Sequence, residues 1–189
     1  MYNHQGTITV ETDRLILRQF SNEDASAMFH SWSSDEAVAQ YMRWDAHKSI
    51  EETERIISAW INDYERFDFY LWAITLKETN ELIGSIGMFS VNTHDMCYEV
   101  AYNIGRYFWN RGYVSEALKS VLRFGLQQVG INRIEAYHSI NNPASGKVML
   151  KSGMRFEGRA RQKYRSHAGF EDCDLYAILK DDVKDEGAD

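Results

Sequence analysis

The sequence has two cysteines, one proline and no long apolar run, and each scarcity excludes a class of protein. Cys97 and Cys173 lack metal-ligand spacing, so neither a disulfide framework nor a metal site is predicted, and a reducing cytoplasm is the expected location. No stretch approaches the roughly 18 apolar residues that a membrane span needs, and residues 1–11 lack the apolar core of a signal peptide. The net charge of −7 argues against sequence-independent binding of nucleic acid, although a local basic patch is compatible with it.

What the sequence does contain suits one folded domain of 189 residues. Its 44% hydrophobic and 26% charged residues match the globular average and exclude a disordered or low-complexity chain. We expect a single domain over residues 1–189, with its core at about 12–180 and a frayed acidic tail at 181–189. Aromatic residues reach 13%, which indicates either a rich core or an aromatic-lined pocket.

Apolar periodicity and turn signals predict a mixed α/β (α+β) domain. Helical spacing marks segments 25–32, 50–67, 112–130 and 144–152, and Ser21 with Asp24 forms a capping pair before the first. Strands are predicted at 15–20, 69–76, 82–91, 97–104, 133–140, 159–164 and 174–179, with hairpins between the second and third and between the last two. This order lacks the regular alternation of a doubly wound sheet.

The segment 104–117 carries the most information about function. A predicted strand ends, a loop with Gly105 and Gly112 follows, and a long amphipathic helix begins. The free N–H groups and the dipole of a helix start attract anions, and glycine lets a ligand approach the backbone. Arg106 and Arg111 would add positive charge. A capping glycine without a ligand explains the spacing equally well. Neither a Walker motif nor G-x-G-x-x-G occurs, which argues against those nucleotide sites.

Three stretches resemble motifs of one enzyme family, in the expected order. Residues 109–117 (WNRGYVSEA) resemble the pyrophosphate loop of GNAT-type N-acetyltransferases, above all the W-x-x-G-Y-x-x-E-A run of the ribosomal-protein N-terminal acetyltransferase branch. Residues 142–154 (NPASGKVMLKSGM) resemble the N-x-x-S-x-x-V-x-x-K-x-G-[FM] segment of that branch, and residues 12–18 (TDRLILR) its T-x-R-L-x-L-R opening. The chain departs from the wider family at Trp109, where Gln or Arg is general, and at Val114, where Ala or Gly is common.

The resemblance covers nearly the whole chain and implies the GNAT fold. That fold is a mostly antiparallel mixed sheet of about six to seven strands with a splayed central pair, flanked by about four helices. The implied cofactor is acetyl-CoA, with its pyrophosphate on backbone N–H groups of residues 111–114 and its pantetheine arm on Asn142. The candidate cofactor-binding residues are Tyr102, Asn103, Ile104, Arg106, Arg111, Gly112, Tyr113, Val114, Ser115, Asn142 and Ser145.

Acetyl transfer to an amine requires a polarised thioester carbonyl, a deprotonated amine and a stabilised thiolate. By resemblance, backbone N–H groups near residues 102–104 would polarise the carbonyl. The side chain of Asn103 is either a further donor or a solvated or loop-capping group.

Glu99 and Ser145 are the predicted catalytic residues. Glu99 would accept the amine proton, directly or through water; the alternatives are an exposed strand glutamate and His138 as the base, whose ordinary pKa is about 6.5. Ser145 is implied to contact the sulfur, because Met149 occupies the position where many relatives carry tyrosine. Helix capping is the alternative for Ser145.

The resemblance places the acceptor cleft between the first two helices, their connection and the final hairpin. The candidate substrate-binding residues are Trp32, Tyr41, Trp44 and Tyr164, with core packing as the alternative for Trp32. An aromatic wall near carboxylates suits a cationic amine, and the acidity of the chain fits a basic acceptor.

These observations predict a cytoplasmic, acetyl-CoA-dependent N-acetyltransferase. It would transfer the acetyl group by direct attack in a ternary complex to a protein N-terminus or a small amine. The alternatives are an enzyme that detoxifies antibiotics or polyamines and a catalytically weak acyl-CoA-binding sensor. We expect neither nucleic acid nor membrane as a partner, and a monomer or homodimer.

Overall fold

An eight-stranded sheet organises residues 2–166 and 169–183, which the computed structural model describes. Its spatial order is β1-β2-β3-β4-β5-β6-β8-β7, and every neighbouring pair is antiparallel except β5 with β6. The strands are β1 Val10–Glu11, β2 Leu15–Arg18, β3 Tyr70–Leu76, β4 Leu82–Asn92, β5 Cys97–Ile104, β6 Arg133–Ser139, β7 Arg155–Ser166 and β8 Gly169–Leu179.

Five α-helices cover the two faces of this sheet. They are α1 Asp24–Met28, α2 Glu36–Ala39, α3 Ile50–Asp63, α4 Tyr113–Arg123 and α5 Pro143–Lys151. A π-helical turn, Phe29–Ser33, extends α1, and another, Phe124–Val129, extends α4. In the part of the chain that is described, no helix is long and apolar enough to cross a membrane.

The mixed, mostly antiparallel sheet is confirmed, with more elements than expected. Within the described residues, the sheet has eight strands instead of about six to seven, and five α-helices accompany it instead of about four. The additional elements are the two-residue β1 and the four-residue α2, which are too short to produce a detectable periodicity. The final two strands are also longer than predicted. Strand β7 is mostly exposed, and the first half of β8 alternates in burial with a glutamate at one of its buried positions, so neither stretch shows a clear apolar alternation in the sequence.

The apolar sides of the helices are buried in two clusters, one on each face of the sheet. Trp72 of β3 packs in the cluster that contains the buried stripe of α4. Its neighbours Leu71 and Ala73 point to the other face and pack with Ile57 of α3. Both faces of β3 are therefore covered, which explains why its sequence is continuously apolar. The α4 stripe consists of Val114, Ala117, Leu118, Val121 and Leu122.

The central strands β5 and β6 separate shortly after they begin. They pair only at Cys97–Arg133, Tyr98–Ile134 and Glu99–Glu135, whereas β5 stays paired with β4 as far as Ile104. In an antiparallel pair, alternate residues direct their N–H and C=O groups away from the partner strand. Between residues 100 and 104, such groups on the β6 side of β5 have no strand partner in the described sheet, and a cleft opens there.

Two local expectations need correction. Helix α3 ends at Asp63, before the predicted limit, and Phe67 is 72% exposed. The acidic tail begins with an ordered 3₁₀ turn, Lys180–Asp182, in which Asp182 pairs with Arg155 at 2.7 Å, so this part is not frayed. Residues 184–189 of the predicted tail, and positions 167 and 168 of the predicted turn, lie outside the described residues.

Only one of the two hydrogen bonds of the predicted capping pair before α1 is formed. The Asp24 carboxylate accepts the backbone N–H of Ser21 at 2.8 Å, as in a capping box. The Ser21 hydroxyl donates to the same carboxylate instead of accepting a helix N–H, and α1 begins at Asp24 itself.

Candidate active site

The opening between β5 and β6 is a cleft with a volume of about 530 Å³, within the usual range for small-molecule sites. It is bounded by β4, β5, β6, the start of α5 and the connection between α2 and α3. The fold brings most of the predicted site residues to this cleft from distant parts of the sequence. They are Trp32, Tyr41, Trp44, Glu99, Tyr102, Asn103, Asn142, Ser145 and Tyr164.

Glu99 lies at the last position where β5 and β6 pair, at the start of the splay. Its side chain is partly buried, and burial raises the pKa of this carboxyl above its usual value. The charges of Arg43 and Lys163 and a hydrogen bond from Tyr137 lower the pKa but do not cancel that effect. Glu99 is therefore a carboxylate in the cleft with an increased affinity for a proton, as a general base requires.

Ser145 is the third residue of α5 and faces β5 across the cleft. Its hydroxyl lies 2.9 Å from the hydroxyl of Tyr102, which also donates to the Ser145 backbone carbonyl at 3.1 Å. Burial raises the pKa of Tyr102, so its hydroxyl stays protonated at neutral pH. Sequence reasoning used only the main chain of Tyr102 and missed this side chain. Met149, also in the cleft, is buried and has no proton to donate.

The amide side chain of Asn103 is only half satisfied. Its Nδ2 donates to the Ser85 hydroxyl at 2.9 Å, and its Oδ1 is buried without a partner among the described residues. The side chain is thus neither solvated nor a loop cap. Asn142 precedes α5, and its side chain does not cap that helix.

His138 presents its ring to helix α5. Its Nδ1 lies 2.7 Å from the backbone carbonyl of Ser139, so Nδ1 carries the proton and Nε2 is an acceptor. A Cβ atom added to Gly146 would lie 2.3 Å from Nε2, which shows how closely the helix packs on the ring. Nε2 therefore faces the helix backbone instead of open cleft, which favours Glu99 over His138 as the base.

Unsatisfied polar atoms are concentrated in the cleft. Over the described ranges, the buried side-chain nitrogen and oxygen atoms without a hydrogen-bond partner are Trp32 Nε1, Asn103 Oδ1 and His138 Nε2. All three residues line the cleft, although the His138 atom faces α5. Because buried polar groups in folded proteins are almost always paired, the unpaired atoms of Trp32 and Asn103 indicate a site that can receive polar ligand groups.

The loop before α4 exposes its backbone to an incoming anion. Gly112 has φ = +80°, a left-handed conformation that glycine adopts without strain, and it has no side chain to cap α4. The N–H groups of residues 113–115 have no acceptor within the helix. Val114 and Ile104 are buried, so only their main chains can contact a ligand.

The two loop arginines differ in their surroundings. Arg106 pairs with Asp35, which offsets the positive charge expected from it. The Arg111 guanidinium lies 5.9 Å from the centre of the Phe108 ring. The backbone carbonyl of Arg111 accepts a hydrogen bond from the Arg14 guanidinium at 3.1 Å, which connects the loop to the N-terminal strands.

A cluster around Glu116 joins the motif at residues 12–18 to the motif at residues 109–117. The Glu116 carboxylate accepts the Thr12 hydroxyl at 2.6 Å, the Arg14 backbone N–H at 2.8 Å and the Arg14 guanidinium at 2.7 Å. The same guanidinium stacks 4.5 Å from the centre of the Tyr113 ring. The N-terminal segment thereby holds the first turn of α4 and the loop before it.

The side of the cleft that is predicted to hold the acceptor is an aromatic wall whose residues are connected by hydrogen bonds. The hydroxyl of Tyr164 donates to the Tyr41 backbone carbonyl, and the hydroxyl of Tyr41 donates to the backbone carbonyl of Asn141, both at 3.1 Å. Trp32 is fully buried in the second core cluster, as the alternative of core packing predicts, and it also borders the cleft.

Sequence reasoning missed Arg43 and Tyr137 in this wall. The Arg43 guanidinium donates to the Tyr137 hydroxyl from Nη2 at 2.6 Å and from Nε at 3.2 Å. Arg43 lies in the connection between the first two predicted helices, which is predicted to border the acceptor cleft. This location is the only indication in the sequence that Arg43 belongs to the site. Tyr137 lies two residues along β6 from Glu135, the residue that pairs with Glu99, and only the splay turns it into the cleft.

Comparison with known proteins identifies relatives over almost the whole chain. The model of the acetyltransferase (GNAT) domain family matches residues 14–155. The uncharacterized N-acetyltransferase YoaA of Bacillus subtilis (strain 168) is 34% identical over 171 residues, which cover 90% of this chain and 96% of the relative. The ribosomal protein uS5-alanine N-acetyltransferase of Escherichia coli (strain K12) is 23% identical, with coverages of 93% and 92%.

A solved structure shows the same fold. RimL, the ribosomal L7/L12 α-N-protein acetyltransferase in complex with coenzyme A, superposes with a TM-score of 0.82 and covers 93% of this chain and 100% of its own. At 19% identity this likeness concerns the fold. RimL therefore has the same overall fold as this chain.

Proposed function

The chain belongs to the GNAT acetyltransferase family, and from that premise we propose that it transfers an acetyl group from acetyl-CoA to a primary amine. The transfer occurs by direct attack in a ternary complex. The observation that carries the proposal is the splay of β5 from β6, which places Glu99 and the Tyr102–Ser145 pair in one cleft.

The residues present fit acetyl-CoA at three points. Gly112 leaves the start of α4 uncapped for a pyrophosphate, as expected of an anion site at a helix N-terminus. The unpaired side of β5 and the free Oδ1 of Asn103 offer polar groups to a pantetheine arm that enters the splay beside Asn142. When bound, acetyl-CoA supplies an activated thioester carbonyl. Backbone N–H groups in residues 100–104 are the donors available to its oxygen.

Glu99 is the proposed general base. Burial raises the pKa of the Glu99 carboxyl, which increases its affinity for the proton of the acceptor ammonium, taken directly or through one water. The charges of Arg43 and Lys163 oppose burial and favour the ionised form.

The Tyr102–Ser145 pair is the proposed proton source for the leaving sulfur. The two hydroxyls lie 2.9 Å apart, so Ser145 can donate to the sulfur once the Tyr102 proton turns from the Ser145 backbone carbonyl to the Ser145 hydroxyl oxygen. This arrangement supplies the proton that Met149 cannot provide at the position where many relatives carry tyrosine.

The acceptor is a protein N-terminus or a small amine, and the proposed location is the cytoplasm. The name of the uS5-alanine relative states that it acts on a ribosomal protein, and the shared sequence motifs support the same type of acceptor here. The tightly linked aromatic wall supports a defined acceptor over broad detoxification.

Isothermal titration with acetyl-CoA, followed by measurement of thiol release with a panel of amines, tests the proposal. We expect saturable binding and acceptor-dependent release of free CoA. No binding at saturating concentrations contradicts the cofactor assignment. Binding without thiol release from any peptide or small amine favours the alternative of an acyl-CoA sensor.

A further inference from the structure

The side chain of Arg43 is a fixed cation in the wall of the cleft. It reaches the cleft from the connection after α2 and is held by hydrogen bonds to the Tyr137 hydroxyl at 2.6 and 3.2 Å. Its guanidinium carbon lies 5.4 Å from the ring centre of Tyr164 and 5.9 Å from that of Tyr137. Two tyrosines on different strands therefore hold this charge in one place.

The positive charge of Arg43 at this wall is not matched by a carboxylate within ion-pair distance among the described residues. In the part of the chain that the structure describes, no ion pair within 4.0 Å includes Arg43 or Lys163. The Lys163 ammonium lies 5.4 Å from the Tyr137 ring centre, so it adds to the same region. Glu99 is the carboxylate that lines the cleft, and it interacts with both cations only at longer range.

Arg43 also retains hydrogen-bonding capacity. A guanidinium has five N–H donors in a planar fork, and the contacts to Tyr137 occupy two of them. The remaining donors suit the planar, bidentate recognition of a carboxylate or a similar oxyanion. A polycationic acceptor would instead meet repulsion from two positive side chains at the wall.

We propose that the acceptor is a primary amine that carries a carboxylate or another oxyanion close to the amine, with the amine at Glu99 and the oxyanion at Arg43. The inference rests on the proposed acetyl transfer and specifies its substrate class. Free amino-acid-type amines and acidic peptide N-termini share this chemistry, and the experiment separates them. The proposal departs from the basic acceptor that the overall acidity of the chain suggested.

The test measures thiol release from acetyl-CoA with matched acceptors. The small pair is leucine and leucine amide, and the peptide pair consists of amidated tetrapeptides that begin Ala-Asp or Ala-Asn; putrescine is the cationic arm. We expect kcat/KM to be at least about tenfold higher for the anionic member of one pair, and lowest for putrescine. That preference corresponds to about 1.4 kcal/mol. Equal rates within both pairs, or a preference for putrescine, overturn the inference.

Variants assign the preference to one side chain. Arg43→Gln should raise KM for the anionic acceptor about tenfold or more and leave kcat nearly unchanged, because the lost contact binds the ground state and the transition state alike. Arg43→Lys should retain part of the preference. Arg55→Gln, an exposed arginine on α3, is the matched control and should retain all of it. Comparing the same acceptor pair between variants cancels the difference in amine pKa. A preference that survives in Arg43→Gln contradicts the assignment.

A binding measurement separates this inference from the proposed function. Trp44 and Trp60 line the cleft, so their fluorescence reports acceptor binding without turnover. Leucine should bind more tightly than leucine amide, and this difference should be lost in Arg43→Gln; that result supports the inference even if no thiol is released. The absence of thiol release by itself rejects the proposed function. Thiol release without any preference for the anionic acceptor supports the proposed function and rejects the inference.

Discussion

At the scale of single residues, the surroundings of Glu99 determine how the proposed reaction responds to pH. The titratable and charged groups around it are Arg43, Lys163, Glu135 and Tyr137. Burial, the strongest influence, raises the pKa above the usual 4.5, and the two cations oppose it. A base acts only in its ionised form, so activity must fall as the pH drops through this raised pKa.

Replacing Glu99 with glutamine should remove the base without changing the size of the side chain. We expect kcat/KM at neutral pH to fall by about 10²- to 10⁴-fold, the usual contribution of general base catalysis. The acid limb of the pH–rate profile should disappear, and activity should recover partly at high pH, where the free amine is already deprotonated. Initial rates of thiol release across the pH range provide the measurement.

Glu135→Gln is the matched control for this experiment. Glu135 pairs with Glu99 across β5 and β6, but its carboxylate is bound to Arg133 at 2.7 Å. This variant should retain the acid limb, with its midpoint moved slightly lower because one nearby negative charge is gone. An acid limb that persists in Glu99→Gln would exclude Glu99 as the base.

Ser145 and Tyr102 allow a second test at this scale. Ser145→Ala removes the hydroxyl proposed to donate to the sulfur, so kcat should fall by about 10²-fold while the Kd of CoA changes much less. Tyr102→Phe should lower kcat in the same direction. Leu150→Ala, an exposed position on the same helix, is the control. Turnover kinetics with CoA titration decide the matter: a large loss of CoA affinity with normal kcat would make Ser145 a binding residue only.

At the scale of elements, the geometry of α4 depends on the N-terminal segment. Glu116, in the first turn of α4, binds Thr12 and Arg14, and Arg14 in turn binds the Arg111 carbonyl in the loop. An isolated surface ion pair is worth little, but here one carboxylate accepts three different kinds of donor. The T-x-R opening and the E of the loop motif are thus two halves of one contact.

Glu116→Gln should weaken this contact and loosen the loop that is proposed to bind the pyrophosphate. We expect the Kd of CoA to rise roughly tenfold, about 1.4 kcal/mol, with kcat at saturating acetyl-CoA nearly unchanged. Titration calorimetry measures the affinity. Glu11→Gln removes another ion pair of the N-terminal segment, with Lys77 at 3.0 Å, and should not change the Kd. Equal affinities of the wild type and Glu116→Gln would show that the loop does not depend on this contact.

The elements that could be predicted are those with a strong local pattern. Segment 97–104 was predicted with the limits that β5 has, and the hairpin of β3 and β4 differs by one residue at each outer end. The amphipathic stripe of α4 is also confirmed. Phe67 fitted the helical spacing of α3, but the helix ends at Asp63 and this side chain is exposed. Periodicity alone does not locate a helix end that no capping residue marks.

At the scale of the whole molecule, the splayed sheet is the feature that CoA binding should stabilise. Coenzyme A at 100 times its Kd should add about 2.7 kcal/mol to the free energy of unfolding. For a chain of this length, that corresponds to a rise of roughly 5 to 11 °C in Tm. Differential scanning calorimetry with and without CoA measures the shift. Adenosine 3′,5′-bisphosphate, which lacks the pantetheine arm, should produce a smaller shift because it cannot enter the splay. An unchanged Tm with CoA would contradict the proposed site.

The sequence by itself determined the family, the strand–loop–helix at residues 104–117 and most of the elements, because these follow from short motifs and local periodicity. The tertiary structure decided which side chains meet. Tyr102 and Ser145, 43 residues apart, and Arg43 and Tyr137, 94 residues apart, come together only because β5 and β6 separate after three paired positions. A local pattern records which way a side chain points on its own strand or helix. It does not record which group lies opposite, since that depends on how distant elements pack.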